Sequence, residues 1–348
     1  MHKKNRESRI QNSEFRKLKI FILLLSLCLL SLVSAFKSEA ENIKKRFSET
    51  RLLMGTVVEV IVISDKEDVA RKSIADAFSA MERVDRLMSN FKEDSDISRI
   101  NRGAGIEDVA VDKDVIEVIK KSIYYSEISN GAFDITIGGV EELYKFEDKG
   151  RMPEKGKFKN SVSLVGYKNI IINGNTVRLT KKGMKLDLGG IAAGYAVDKG
   201  IDTIKKNGVV DALINAGGDI RVIGESENCK WKIGILHSRE ENKLINTLTL
   251  KDISVTTSGD YRKYFISGGK RYHHILNPST GLPTEGVQSV TIIAPLAVDS
   301  DALATAVFVL GKKKGMEMIE RLKDVEGIII DSDGLAIYSS GVKSYIHN

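Results

Sequence analysis

Hydrophobic and polar residues alternate with two periods along the first half of the chain, and these periods predict its early elements. Residues 56–63, TVVEVIVI, form a short β-branched run that predicts a strand. Over residues 65–91 the apolar positions recur three to five residues apart, which predicts an amphipathic helix. A second helix is predicted to begin at Asp112, whose carboxylate can cap it, and to end at Asn130-Gly131.

The second half of the chain mixes predicted helices with predicted hairpins. Helical patterns begin at DLGG (187–190), where the helix is predicted to end at Asn207-Gly208, and at SDALATAVFVLG (300–311). Strands are predicted within 168–180 and at VVDALINA (209–216), DIRVIG (219–224) and VQSVTIIA (287–294), and a hairpin is predicted at 261–276 with Gly268-Gly269 at its turn. This mixture predicts an α+β fold rather than a doubly wound parallel sheet.

The N-terminal pattern differs from the rest and predicts export. Residues 1–19 are polar and basic, and residues 20–36 are apolar and uncharged, in the order of a signal sequence. Cleavage after Ala35 is one possibility. An uncleaved anchor is a second, because the run is nearly long enough to span a bilayer and its basic flank would stay cytoplasmic. A lipoprotein signal with lipidated Cys28 is a third and poorer match, because Leu27 precedes the cysteine.

These patterns divide the chain into a signal peptide or membrane anchor at 1–36, a polar tether at 37–50 and a folded domain at 51–348. Charge supports the division. The formal net charge is +6, but residues 1–35 hold seven basic and two acidic residues, and 46 basic and 45 acidic residues remain beyond them. The body therefore has no basic field that favours nucleic acid. Its one cysteine, Cys229, excludes an intrachain disulfide and a cysteine metal site there.

Four polar motifs could carry chemistry, and each also has a plain structural interpretation. Asp301 and Thr305 lie four residues apart on one helix face and offer hard oxygen ligands for Mg²⁺, but an aspartate at a helix start more often caps it. The glycines of DLGGIAAGYA (187–196) could admit a phosphate or make a tight strand-to-helix turn. NAGGDIRV (215–222) repeats the pattern of a strand that runs into a glycine pair, and a plain hairpin turn explains it at least as well. The small residues of SNGAFDITIGG (129–139) could admit a flat ligand, and a plain loop also explains them.

Two adjacent histidines stand in RYHHILNPSTGLP (271–283), in a chain with five. Neighbouring residues on a strand point to opposite faces, so His273 and His274 are not predicted to face one site together. At most one is therefore functional. A lone strand histidine is more often structural than catalytic, and the residues alone leave that interpretation ahead.

Taken together and in order, the segments resemble the ApbE family, the FAD:protein FMN transferases. The resemblance extends from MGT (54–56) to the C-terminal strands. It rests on LMSNFKEDSDISRIN, GAFDITIGG, KLDLGGIAAGYAVD, LINAGGDI, TTSGDYRKYF, HHILNPSTGLP and DSDALATAVFVLG. It implies an ApbE-like, T-fold-related α+β domain with mixed sheets and packed helices behind an export segment. It also implies Mg²⁺-dependent transfer of FMN from FAD to a threonine hydroxyl of an acceptor protein, with release of AMP.

The resemblance assigns roles to individual positions. It implies that Gly190, through its carbonyl, Asp301 and Thr305 hold the metal. It implies that His274 faces the site, where we predict a general base for the incoming hydroxyl. The positions implied to bind FAD are Met54, Phe91, Ala132, Phe133, Asp134, Asp187, Ala193, Ser258, Gly259 and Ile275.

Two positions depart from the family pattern. Many relatives have a lysine where this chain has Ala193, so one phosphate contact is in doubt, and some have an aspartate where it has Ala304. The implied setting is the extracytoplasmic, periplasmic face of the cytoplasmic membrane, with an acceptor flavoprotein such as a redox-pump subunit. Two alternatives stay open: a magnesium-dependent FAD pyrophosphatase that gives FMN and AMP, and a non-enzymatic flavin-binding lipoprotein.

Overall fold

The computed structural model describes residues 19, 21–26, 43–146, 150, 152–240 and 242–347. Most of the predicted signal or anchor segment lies outside these residues, and the part described, 21–26, is helical. Among the described helices, none has the length and apolar character needed to cross a membrane.

An eight-stranded sheet forms the centre of the fold. Its strands follow the order β1-β2-β6-β7-β10-β13-β14-β15, and each neighbouring pair is antiparallel. The strands are β1 (Lys45–Leu53), β2 (Thr56–Ser64), β3 (Val109–Ala110), β4 (Ile170–Asn173), β5 (Thr176–Leu179), β6 (Asp211–Ala216), β7 (Asp219–Ile223), β8 (Trp231–Leu236), β9 (Leu244–Leu250), β10 (Ile253–Gly259), β11 (Tyr264–Ser267), β12 (Lys270–His273), β13 (Val287–Ala294), β14 (Glu326–Asp331) and β15 (Ala336–Tyr338).

One face of this sheet is covered by three long helices, α1, α6 and α7. The helices are α1 (Glu67–Met88), α2 (Asp96–Arg102), α3 (Lys113–Ile128), α4 (Gly138–Glu141), α5 (Lys155–Ser163), α6 (Ala192–Lys206) and α7 (Ala297–Ile319). Strand residues of one parity, such as Val58, Val60 and Val62, point into the main core with Phe78 and Phe308. Burial of these apolar side chains contributes roughly 1.5–3 kcal/mol each.

The opposite face of the sheet packs against the β8–β9 hairpin. Alternate residues of β8, Trp231, Ile233 and Ile235, are buried in a second core with residues of the other strand parity, such as Val222 and Val255. A third, smaller core lies between the 137–146 segment and the β11–β12 hairpin. The sheet is therefore sandwiched between helices and a hairpin.

The α+β prediction is confirmed, and several boundaries differ from it. Lys45 to Thr50, placed in the tether by their polarity, form most of the edge strand β1. The helix predicted from Asp187 begins only at Ala192, after a turn. The helix predicted from Ser300 begins at Ala297 and is kinked at Gly311, where φ is 76°. Edge strands can be polar because they are half-exposed, so periodicity did not reveal β1.

Candidate active site

The predicted metal residues come together where α6 and α7 begin. A Cβ atom built on Gly190 would lie 3.1 Å from Thr305 Oγ1 and 3.3 Å from the Phe133 ring. The DLGG turn, α7 and the 131–134 loop therefore meet at one point. A side chain at position 190 would crowd Thr305 and Phe133, so the packing favours glycine there independently of the predicted role as a metal ligand.

Asp301 does not cap its own helix, so the capping interpretation of the sequence is wrong. It is the fifth residue of α7. Its Oδ2 instead accepts a 3.0 Å hydrogen bond from Gly194 N, in the first turn of α6. Asp198 of α6 in turn caps α7, because its two oxygens accept 2.9 Å hydrogen bonds from Ala297 N and Val298 N at the start of that helix. The two helix N-termini are thus stabilised by each other's carboxylates.

A second carboxylate, Asp219, lies next to Asp301. Asp219 is the first residue of β7 and lies opposite Thr256 of the neighbouring strand β10. Burial raises the pKa of both carboxyl groups, and the negative charge of Asp219 raises the pKa of Asp301 further. Sequence reasoning left NAGGD as a possible hairpin turn, and Asp219 was missed. The available signal was an aspartate directly after a glycine turn at a strand start.

These oxygens fit a hard divalent cation. Two neighbouring carboxylates that repel each other, the buried Asp301 and the partly buried Asp219, make with the Thr305 hydroxyl beside Gly190 a set of oxygen donors suited to Mg²⁺. In the described ranges no three His, Cys, Asp or Glu side chains cluster as an all-protein metal site. Magnesium commonly keeps few protein ligands and takes the rest from substrate phosphates and water, so the sparse set is consistent with it.

The predicted flavin loop is held rigidly from behind. Asp134 is buried, and its Oδ1 accepts hydrogen bonds from Thr136 N (2.9 Å) and Thr136 Oγ1 (2.6 Å). Its Oδ2 accepts a 2.8 Å hydrogen bond from Tyr167 N. Both oxygens are therefore used inside the protein. In this structure Asp134 positions the loop, and Ala132 at the partly exposed surface is the member open to a ligand.

Asp187 belongs to a second polar cluster. Its Oδ1 accepts a 2.6 Å hydrogen bond from Gly189 N, and its Oδ2 accepts one of 2.6 Å from Asn90 Nδ2. Asn90 Oδ1 is buried and has no partner among the described residues, so it is available to a ligand. Glu141 also contacts this carboxylate, and burial together with Asp187 raises the pKa of Glu141 well above its usual value. Sequence reasoning missed both Asn90 and Glu141.

Two predicted FAD positions lie at turns, Met54 partly buried against the main core and Phe91 exposed. Met54 has a φ of 54° at the β1–β2 turn, a left-handed conformation that is rare and costly for such a residue. Phe91 is 97% exposed just beyond α1, next in sequence to Asn90. A large aromatic residue so exposed has its ring faces free to stack on a flat ligand. Ala193 is the second residue of α6, one position before the glycine that Asp301 caps.

The remaining predicted residues lie on the β10 and β12 side. Ser258 and Gly259 end β10, and a Cβ atom on Gly259 would meet the Tyr261 ring at 2.4 Å. Ile275 is buried, and its N–H donates a 3.2 Å hydrogen bond to His273 Nδ1. The polypeptide from 258 to 275 thus folds back on itself beside the sheet end.

The two histidines have different surroundings. Strand β12 ends at His273, so His274 lies just beyond the strand on which the alternation argument placed it. His273 is buried, and its Nε2 donates to the Thr284 carbonyl at 2.7 Å while Nδ1 accepts from Ile275 N. His274 is partly exposed, and only Nδ1 is engaged, at 3.2 Å from the Lys263 carbonyl.

The carbonyl partner of His274 decides its tautomer. A carbonyl oxygen only accepts, so His274 Nδ1 carries the proton and Nε2 presents a lone pair. Desolvation by the surrounding protein lowers the pKa of His274 to about 4, with repulsion from His273, Lys263 and Arg262 acting in the same direction and the Lys263 carbonyl opposing it. The ring is therefore neutral at physiological pH. The same ring packs edge-on to Phe146, with centroids 6.4 Å apart.

Comparison with known proteins gives consistent matches over most of the chain. The model of the ApbE family matches residues 54–329. A FAD:protein FMN transferase of Klebsiella pneumoniae (strain 342) is 32% identical over 84% of this chain and 92% of its own length. A FAD:protein FMN transferase of Treponema pallidum (strain Nichols) is 29% identical over 86% of this chain and 88% of its own length. A crystal structure of the ApbE protein from Thermotoga maritima superimposes with a TM-score of 0.81, 34% identity, and coverage of 87% of this chain and 100% of that one.

Proposed function

The chain belongs to the ApbE family, and from that premise we propose that it is a transferase that moves FMN from FAD to a threonine hydroxyl of an acceptor protein. The reaction would depend on Mg²⁺ and release AMP. One observation carries the proposal beyond family membership: Asp301, Thr305 and Gly190 meet at the same point as the 131–134 loop. The proposed metal ligands and the proposed flavin loop thus adjoin, as transfer from a nucleotide requires.

Separate groups of residues would bind the metal, orient the nucleotide and stack on the flavin nucleotide. Asp301, Thr305 and the Gly190 carbonyl would hold Mg²⁺, which neutralises the pyrophosphate and stabilises the leaving AMP. Asp187 and Asn90 would orient the nucleotide, and Phe91 would stack on a ring of FAD. Positioning and charge neutralisation supply most of the rate in transfers of this type.

His274 would receive the proton of the acceptor hydroxyl. The hydroxyl oxygen forms a bond to the FMN phosphorus, the bond from that phosphorus to the AMP oxygen breaks, and the hydroxyl proton passes to His274 Nε2. The lone pair on Nε2, set by the Lys263 carbonyl on the other nitrogen, supports this role. His273 has no nitrogen left for it, because both are engaged in the core.

We propose that the enzyme works outside the cytoplasm, held at the cytoplasmic membrane by its N-terminal segment. The basic-then-apolar order of residues 1–36 supports this location. A membrane redox-pump subunit is the kind of acceptor that such a location would offer. An uncleaved anchor or lipidation at Cys28 would hold the enzyme at the membrane, whereas a signal cleaved after Ala35 would release it.

Product analysis tests the function. The full chain is incubated with FAD, Mg²⁺ and a candidate acceptor protein, and the acceptor is then examined by mass spectrometry. Transfer predicts that the acceptor gains the mass of FMN on one threonine while AMP appears in equal amount. Free FMN with AMP, and an unlabelled acceptor, would show a pyrophosphatase instead. Bound FAD without AMP would show a flavin carrier.

A further inference from the structure

A long groove runs between the β8–β9 hairpin and the main sheet. It consists of two adjoining cavities of about 570 and 580 Å³, which share Glu59, Asn215, Ile220, Ile233 and Gly234 in their walls. Together the cavities follow the whole of β8, from Trp231 to Leu236. Six strand residues extend roughly 20 Å, so the groove has the length of a short extended peptide.

One wall of the groove is an unpaired strand edge. In the described part of the chain β8 pairs only with β9, as a two-stranded sheet. The other side of β8 therefore presents backbone N–H and C=O groups to the groove. Such an edge binds an added strand through main-chain hydrogen bonds. Apolar side chains that remain partly exposed, Val57 (55%) and Leu236 (48%), offer contacts for alternate side chains of that strand.

One end of the groove lies beside Asp219 of the candidate active site. Gly217, Gly218 and Arg262 line the groove, and a Cβ atom on Gly218 would lie 3.0 Å from Arg262 Nη2. Asp219 follows Gly218 in the sequence and lies near Asp301 on the helix face of the sheet. The positive charge of Arg262 lowers the pKa of Asp219, against the larger effect of burial. A chain lying along β8 thus has only the 217–218 turn to cross to reach the carboxylate pair.

The groove is more basic than acidic. Its lining includes four basic side chains, Arg46, Lys230, Lys232 and Arg262, and two acidic ones, Glu59 and Glu227. An acidic segment is favoured by this charge balance. A second copy of the same groove is disfavoured by it, since two basic surfaces would meet.

We infer that this groove binds the acceptor: an extended, acidic segment of the acceptor protein adds as a strand to the free edge of β8 and delivers its hydroxyl residue past Gly218. The inference rests on the proposed transfer. It assigns the acceptor site to the hairpin side of the sheet, with FAD on the helix side.

A peptide library tests the inference. Synthetic 14-residue peptides with a fixed central threonine and random flanks are mixed with the full chain in detergent, FAD and Mg²⁺, and FMN-bearing peptides are sequenced. The groove variant is Lys230→Glu/Lys232→Glu. Its matched control is Lys313→Glu/Lys314→Glu, the same charge change on exposed residues of α7 outside the groove.

The expected result is that wild type and control select Asp- and Glu-rich flanks, whereas the groove variant loses about tenfold in kcat/KM for the best acidic peptide and accepts basic flanks. AMP release from FAD without peptide should be equal in all three. Identical selection by the groove variant and the control would overturn the inference. If wild type cleaves FAD and labels no peptide, the transfer itself fails, and the docking proposal fails with it.

Cys229 allows an independent readout, because it is exposed in the groove lining. In a Cys28→Ser background, a benzophenone maleimide on Cys229 should crosslink the best acidic peptide and lower its labelling at least about fivefold, with peptide-free AMP release unchanged. Crosslinks only to a second copy, or only to the chain's own residues 37–42, would identify a different occupant and refute the acceptor assignment.

Discussion

Asp198 and Asp301 each cap the helix that carries the other. Asp301 of α7 accepts from Gly194 N of α6, and Asp198 of α6 accepts from Ala297 N and Val298 N of α7. Arg221 on β7 pairs with Asp198 at 2.8 Å, with both side chains about 90% buried. The position of Asp301 at the candidate metal site therefore depends on a carboxylate that has no predicted role in chemistry.

Removal of the Asp198 carboxylate should lower the free energy of unfolding. Asp198→Ala leaves two helix N–H groups unpaired and removes the close, buried partner of the Arg221 guanidinium, and we expect a loss of about 3–5 kcal/mol in unfolding free energy. Urea unfolding followed by circular dichroism measures it. Asp202→Ala is the control, because Asp202 lies 3.8 Å from the same arginine but its side chain is 52% exposed. That variant should lose less than about 1 kcal/mol. Equal losses would contradict the capping account.

The crossing of α6 and α7 also depends on a glycine. A Cβ atom on Gly194 would lie 2.2 Å from the Ala297 carbonyl oxygen and 2.9 Å from Asp301 Cβ. Gly194→Ala should therefore push the helices apart, with a loss of about 1–3 kcal/mol and weaker stabilisation by Mg²⁺ in thermal melts. Gly139→Ala is the control, since its nearest neighbour is the Gly183 carbonyl oxygen at 3.8 Å. A melting temperature of Gly194→Ala equal to that of the control would refute the steric argument.

The sequence pattern predicted those elements that are determined by residues close together in the chain. The β2 run, the Asp112 cap and the Gly268-Gly269 turn all lie within one element or its ends, and each was predicted. Cross-chain relationships were not accessible in this way. Asp198 and Asp219 acquire their roles only when α7 packs beside β7 and α6, and the one local signal, the glycine turn before Asp219, does not show what that carboxylate meets. The strands β8 and β9 were also missed, although β8 does alternate: Trp231, Ile233 and Ile235 are buried and the residues between them are exposed.

Substitution of His273 should lower stability, whereas substitution of His274 should slow the reaction. His273→Ala leaves the Thr284 carbonyl and Ile275 N–H unpaired in the core, so we expect a loss of about 2–4 kcal/mol in unfolding free energy. His274→Ala should fold with a near wild-type melting temperature and slow FMN transfer roughly 10²–10⁴-fold. Urea melts and acceptor labelling measure the two effects. The reverse pattern, with transfer lost only in His273→Ala, would show that the wrong histidine was chosen.

The lowered pKa of His274 sets a pH dependence. The base must be neutral to accept a proton, and with a pKa of about 4 it is neutral throughout the physiological range. Transfer at saturating acceptor should therefore show no loss from this group until the pH falls through about 4. Unfolded chains bind this proton near pH 6.5, so protonation should favour unfolding progressively as pH falls from about 6.5 toward 4. An acid limb near pH 6.5 that vanishes in His274→Asn would contradict this assignment.

Asp301→Asn tests the metal site with the fold preserved. The amide oxygen can still accept from Gly194 N, while the charge beside Asp219 is lost, so the metal-free variant should melt at or above the wild-type temperature. Stabilisation by Mg²⁺ should disappear, and AMP release from FAD should fall by about 100-fold or more. Asp299→Asn on the same helix is the control, because Asp299 pairs at 2.7 Å with Lys121 instead. If Asp301→Asn keeps both the magnesium-dependent shift in melting temperature and the AMP release, Asp301 is not a metal ligand.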